Sequence, residues 1–161
     1  VWDFQGVPQQ EVKFADLGLP ADREYVVFEF WTQKYLGRSK GSFTAPAMDD
    51  NNGMQVFAIR EVREHPWVLS TTRHISQGAV SLLDEKWDAA AKTLSGKSAV
   101  VIDDPYVMTV HLPKGFRIEN VEVKNVEGEG EKVEFANQEE FATVRMVPSA
   151  TKKVDWRITF Q

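Results

Sequence analysis

Val154-Asp155-Trp156-Arg157-Ile158-Thr159-Phe160-Gln161 decides the fold class. Apolar and polar residues alternate through it without a slip, and a period of two sets Val154, Trp156, Ile158 and Phe160 on one face of a half-buried strand. Tyr106, Met108, Val110 and Leu112 repeat the pattern and stop at Pro113 and Gly115. Tyr25–Trp31 and Met54–Ile59 are apolar on both faces, which reads as two central strands. Further strands are predicted at Glu11–Phe14, Trp67–Thr72, Val80–Trp87, Ile118–Val126, Lys132–Phe135 and Phe141–Val147.

Turn chemistry separates these runs. Asp50-Asn51-Asn52-Gly53 is a hairpin signal, because Asn and Gly accept positive φ at little cost. Gly128-Glu129-Gly130-Glu131, Ser95-Gly96-Lys97 and Asp103-Asp104-Pro105 read as similar breaks. Only Trp87–Thr93, with three consecutive alanines, offers a helical turn, and it is too short to stand as a helix alone. Strands at intervals of roughly 8–12 residues with turns between them predict an all-β fold, an antiparallel β-sandwich of Greek-key type. No internal repeat or low-complexity linker interrupts the chain, so residues 1–161 read as a single domain.

Composition narrows the function. Apolar residues make up 42% of the 161, enough for a core, and the net charge is −5. An acidic chain without a basic stripe argues against a nucleic-acid partner. No stretch approaches the ~18 apolar residues of a spanning helix. The absence of cysteine removes disulfides, thiolate metal sites and cysteine nucleophiles. The opening residues Val1, Trp2, Phe4 and Val7 read as a cut inside a longer chain, which leaves a removed signal peptide open.

Catalytic and ligand motifs are hard to find. His65, His74 and His111 lack metal-ligand spacing, and their plain reading is local hydrogen bonding. Ser70, His74 and Asp84 could be assembled into a triad on paper, but no G-x-S-x-G elbow supports it. An EF-type loop fails at Asp49–Gly53, because counting back from the glycine puts Met48 where the first aspartate belongs. Gly128-Glu129-Gly130 carries an acidic side chain where a phosphate cradle needs bare amides. The 24 carboxylates include no pair marked by a motif. No catalytic residue, metal or cofactor is therefore assigned. Of the five tryptophans, Trp31 and Trp156 are predicted to fill the core, while Trp67 and Trp87, at strand ends, could face a partner or a sugar.

Two segments carry a family resemblance. The first runs Asp16-Leu17-Gly18-Leu19, Tyr25-Val26-Val27-Phe28-Glu29-Phe30-Trp31 and Tyr35-Leu36-Gly37. The second is His65-Pro66-Trp67-Val68-Leu69-Ser70-Thr71-Thr72-Arg73-His74-Ile75-Ser76-Gln77-Gly78. Their order resembles the C-terminal β-sandwich of α-galactosidase-like (melibiase-type) glycoside hydrolases, especially bacterial polysaccharide-degrading members. Trp87, Leu94-Ser95-Gly96 and Leu112-Pro113-Lys114-Gly115-Phe116 extend the likeness toward a final tryptophan-containing strand, so it covers nearly the whole chain. Val1-Trp2-Asp3-Phe4 is similar to the strand by which such chains enter the sandwich.

The resemblance implies that catalysis belongs to a (β/α) barrel outside this chain, whose two carboxylates have no counterpart here. It implies an accessory domain that packs on and stiffens that barrel, and an extracytoplasmic location. Trp67, Arg73, His74 and Gln77 are then expected near the barrel contact, and Trp87 is a further candidate for carbohydrate or barrel contact. Two alternatives stay open: a carbohydrate-binding module using exposed aromatics, and a β-sandwich used for interaction or adhesion.

Overall fold

A computed structural model describes residues 6–48, 53–125 and 130–161. The architecture is all-β, with thirteen antiparallel strands and one short 3₁₀ turn among the described residues. The chain divides into two compact units, Val1–Val62 and Arg63–Gln161.

In the first unit, β1 (Gln10–Lys13) pairs with β4 (Ser42–Ala45), and β2 (Glu24–Glu29) lies between β3 (Lys34–Lys40) and β5 (Phe57–Glu61). The central position predicted for the Tyr25 run holds: Tyr25 to Glu29 are all buried. Its core gathers Phe14, Tyr25, Val27, Phe43 and Ala45, with the Phe14 ring 4.7 Å from Tyr25. The Asp16-Leu17-Gly18-Leu19 segment closes the 3₁₀ turn beneath them, where Leu19 N–H donates to Phe14 O at 2.9 Å. Gly37 has φ +90 opposite a register shift at Val27/Phe28. The bulge places one extra residue in β3, and a side chain at that φ would be strained.

The second unit is a sandwich. One sheet has the order β10-β13-β8-β7, from β7 (Leu82–Asp88), β8 (Thr93–Val100), β10 (Ile118–Asn125) and β13 (Lys152–Phe160). The other has the order β11-β12-β9-β6, from β6 (Trp67–Thr71), β9 (Tyr106–His111), β11 (Val133–Asn137) and β12 (Phe141–Met146). Most neighbours are not consecutive in sequence, which is the crossing pattern of a Greek key. The alternation in β13 buries Val154, Trp156, Ile158 and Phe160 in one core with Met108, Val110 and Val144. Each fully buried large apolar side chain contributes about 1.5–3 kcal/mol. The Asn137 amide bridges the sheets: it accepts from Ile118 N–H at 2.8 Å and donates to Ile118 O at 3.0 Å.

Several expectations need correction. Met54–Ile59 is not a central strand; β5 starts at Phe57 and is an edge strand that pairs only with β2 among the described strands, with Phe57 and Ile59 against the core and Ala58 buried on its other face. Ser95-Gly96-Lys97 is no break but the middle of β8, where the missing side chain makes room for the Trp156 ring. The three alanines lie in the hairpin loop between β7 and β8, where only residues 89–92 separate the strands and no helix forms; an Asp88 carboxylate oxygen accepts from the N–H groups of Ala90 and Ala91 at 3.0 Å each. The Val1–Phe4 strand, the turn at Asp50–Asn52 and the Gly128-Glu129 half of another lie outside the described residues.

Candidate functional site

The five residues singled out in the sequence do not form one surface. Trp67 begins β6 and is 0% exposed. Its ring lies 5.7 Å from His111, its cross-strand partner, and the Arg63 guanidinium sits 5.1 Å from the ring centroid. Gln77 is also buried and has φ +53; its side-chain oxygen accepts from the Ser70 hydroxyl at 2.9 Å. Arg73 is half-buried and His74 exposed, in the run of turns that follows β6. Trp87, half-buried on β7, stacks on His65 with centroids 5.5 Å apart and meets Phe116 and Phe160 edge-on.

The polar residues of the second quoted segment bond among themselves. Gln77 N–H donates to His74 O at 2.8 Å, Ala79 N–H to Ser76 O at 3.2 Å and Leu82 N–H to Gly78 O at 2.8 Å. His74 Nδ1 accepts from Ser76 N–H at 3.1 Å, and the Thr71 and Ser81 hydroxyls lie 3.3 Å apart. The triad imagined from Ser70, His74 and Asp84 is not assembled: Ser70 is buried against Gln77, and His74 engages Ser76. Among the described residues, no group of three His, Asp or Glu side chains could hold a metal ion.

A second buried polar cluster lies inside the sandwich. Tyr106 hydroxyl donates to Ser98 Oγ at 2.9 Å, and Trp156 Nε1–H donates to the same oxygen at 3.0 Å. Burial pushes the Tyr106 phenol above its ordinary pKa, against the smaller opposite pull of the Ser98, Ser81 and Thr71 hydroxyls. It stays neutral and acts as a structural donor.

No family model, curated protein or solved structure matches this chain.

The functional group that the sequence reading passed over is Glu29, the one charged residue in Tyr25–Trp31. Its side chain is buried at the end of β2, where Oε2 accepts from Thr32 N–H at 2.7 Å and Thr32 hydroxyl at 2.6 Å. Oε1 accepts from the N–H groups of Trp31 at 3.1 Å and Val56 at 3.3 Å. These bonds turn the chain at the end of β2, where the buried run stops. Trp31, predicted for the core, emerges 53% exposed. It shares the rim of a hollow of about 150 Å³ with Met54, Lys34 and Pro46.

Burial alone would raise the Glu29 pKa; the Thr32, Trp31 and Val56 donors outweigh it, and the net shift is downward. A carboxylate so held is a poor proton donor and a good anchor. The folded pKa lies below the unfolded value, so the unfolded chain takes up the proton more readily. Glu29 stabilises the fold above the ordinary carboxylate range, and that contribution is lost as pH falls through the folded value. Glu29→Gln is expected to lower stability near neutral pH by about 1–3 kcal/mol and to flatten the acid side of the stability profile. Urea titrations across pH check both.

Proposed function

We propose that this chain is a non-catalytic accessory β-sandwich of an α-galactosidase-like glycoside hydrolase, packed against a catalytic barrel outside the chain. The observation that carries this reading is how the resemblance-bearing segments are used. Asp16–Leu19 closes a turn over Phe14, Gly37 forms a bulge, Trp67 fills the interior, and the Ser70–Gln77 bond ties β6 to the turns after it. Trp67 and Gln77, which carry the resemblance, are held inside the fold, and this supports a structural use of their segment. Trp31 and Met54, each 53% exposed beside one hollow, supply apolar surface for a barrel to cover.

An aromatic sugar platform built on Trp67 gains no support, because that ring is enclosed. The proposal is tested by incubating the isolated, folded chain with chromogenic α-galactosides and with polysaccharide fragments. No release of product is expected. Turnover that persists through repeated purification and is removed by substituting a carboxylate of this chain would contradict the reading.

A further inference from the structure

The outer face of the β10-β13-β8-β7 sheet forms an open groove of about 460 Å³. Its floor is set by strand register: Glu122, Arg157, Ser95 and Lys86 form one row across the four strands, and Lys124, Asp155 and Lys97 lie in the next. The register shift between Leu83 and Lys86 bends the β7 edge, and Asp84, with φ +54, lines the groove there. Such bulges curve a sheet and re-aim a side chain.

The charges are not all compensated. Lys97 pairs with Asp155 at 3.5 Å, and Lys124 meets Glu122 at 4.0 Å. Arg157 and Lys86 have no ion-pair partner within 4 Å among the described residues. They stand on strands separated by β8, so their backbones are about 10 Å apart, with Ser95 between them in the row. An anionic group over Ser95 could receive charge-assisted bonds from both sides and a third from the hydroxyl.

We propose that this groove binds an acidic glycan, a sugar chain whose rings carry single carboxylate or sulfate groups. Three carboxylates line the groove beside four cations, which disfavours a dense polyanion such as a nucleic acid. Those same carboxylates accept from sugar hydroxyls. β8 and β13 lie inside the sheet with both edges paired, so the floor offers a peptide no main-chain ladder. The site lies wholly in the second unit and does not depend on barrel packing.

Calorimetric titration of the 161-residue chain at low salt tests this, with a galacturonate tetramer, a sulfated galactan oligomer, a neutral galactan oligomer and oligoglutamate. Saturable binding is expected for the uronate or the sulfated sugar, and the stronger of the two identifies the anion. Arg157→Gln and Lys86→Gln are each expected to weaken it about ten-fold. Both side chains are exposed, so their melting temperatures should match the parent and exclude misfolding as the cause. Binding of neither acidic sugar overturns the proposal, as does equal affinity for oligoglutamate or the neutral oligomer. Variants that fold and bind like the parent overturn it as well.

Discussion

Trp67→Ala is expected to destabilise the Arg63–Gln161 unit by about 3–5 kcal/mol, the range for emptying a large aromatic site in a core. The ring is 0% exposed, lies against His111 and carries the Arg63 guanidinium over it. Its removal leaves a cavity at the start of β6, the edge strand of its sheet. The cation also loses the ring face that attracts it. Trp31→Ala makes the contrast, because that ring is half in solvent and its loss should stay within about 0.5 kcal/mol. Urea unfolding followed by circular dichroism measures both. Equal effects would show that the two tryptophans do not differ in burial as described.

Gly96→Ala is expected to cost about 3 kcal/mol, near the top of the usual overpacking range. An added Cβ would stand 2.5 Å from Trp156 Cζ2, 3.0 Å from Cη2 and 3.1 Å from the Leu83 carbonyl oxygen. The indole has little freedom to retreat, since its N–H is bonded to Ser98 and its surroundings are core. For a unit of this size the loss corresponds to a fall in melting temperature of roughly 10–20 °C. Trp156→Phe removes the clashing ring atoms, so the double variant should lose less than the two single losses added together. Additive losses in that cycle would place the strain elsewhere.

The strands that the sequence made legible are those with an uninterrupted pattern on faces buried by one core. β13 shows a strict alternation because its outward residues Asp155 and Arg157 line the charged groove while Trp156 and Ile158 enter the sandwich. β2 shows no alternation because both its faces are buried. β8 was concealed by Ser95-Gly96-Lys97, whose turn-like composition answers to a ring arriving from β13, a strand more than fifty residues away. No local signal reports such a contact.

Trp31 misleads for a related reason: its direction is decided by a carboxylate two residues earlier, through hydrogen bonds to the backbone. A lone glutamate in an otherwise apolar run was the available clue. Of the candidate site residues, Trp67 and Gln77 are buried, and Gln77 is bonded to Ser70 within the fold. The charged groove was illegible because its lining comes from four strands whose register is set by the fold.

The proposed role is that of a domain that supports a catalytic barrel. Its most direct test is to heat the full-length parent protein and follow two signals together: melting of this domain by calorimetry and residual glycoside hydrolysis. Activity is expected to fall in step with the melting of the sandwich, and both to shift to lower temperature together in Trp67→Ala. Hydrolysis that persists unchanged after the sandwich has melted, or a parent polypeptide with no hydrolytic barrel, would contradict it.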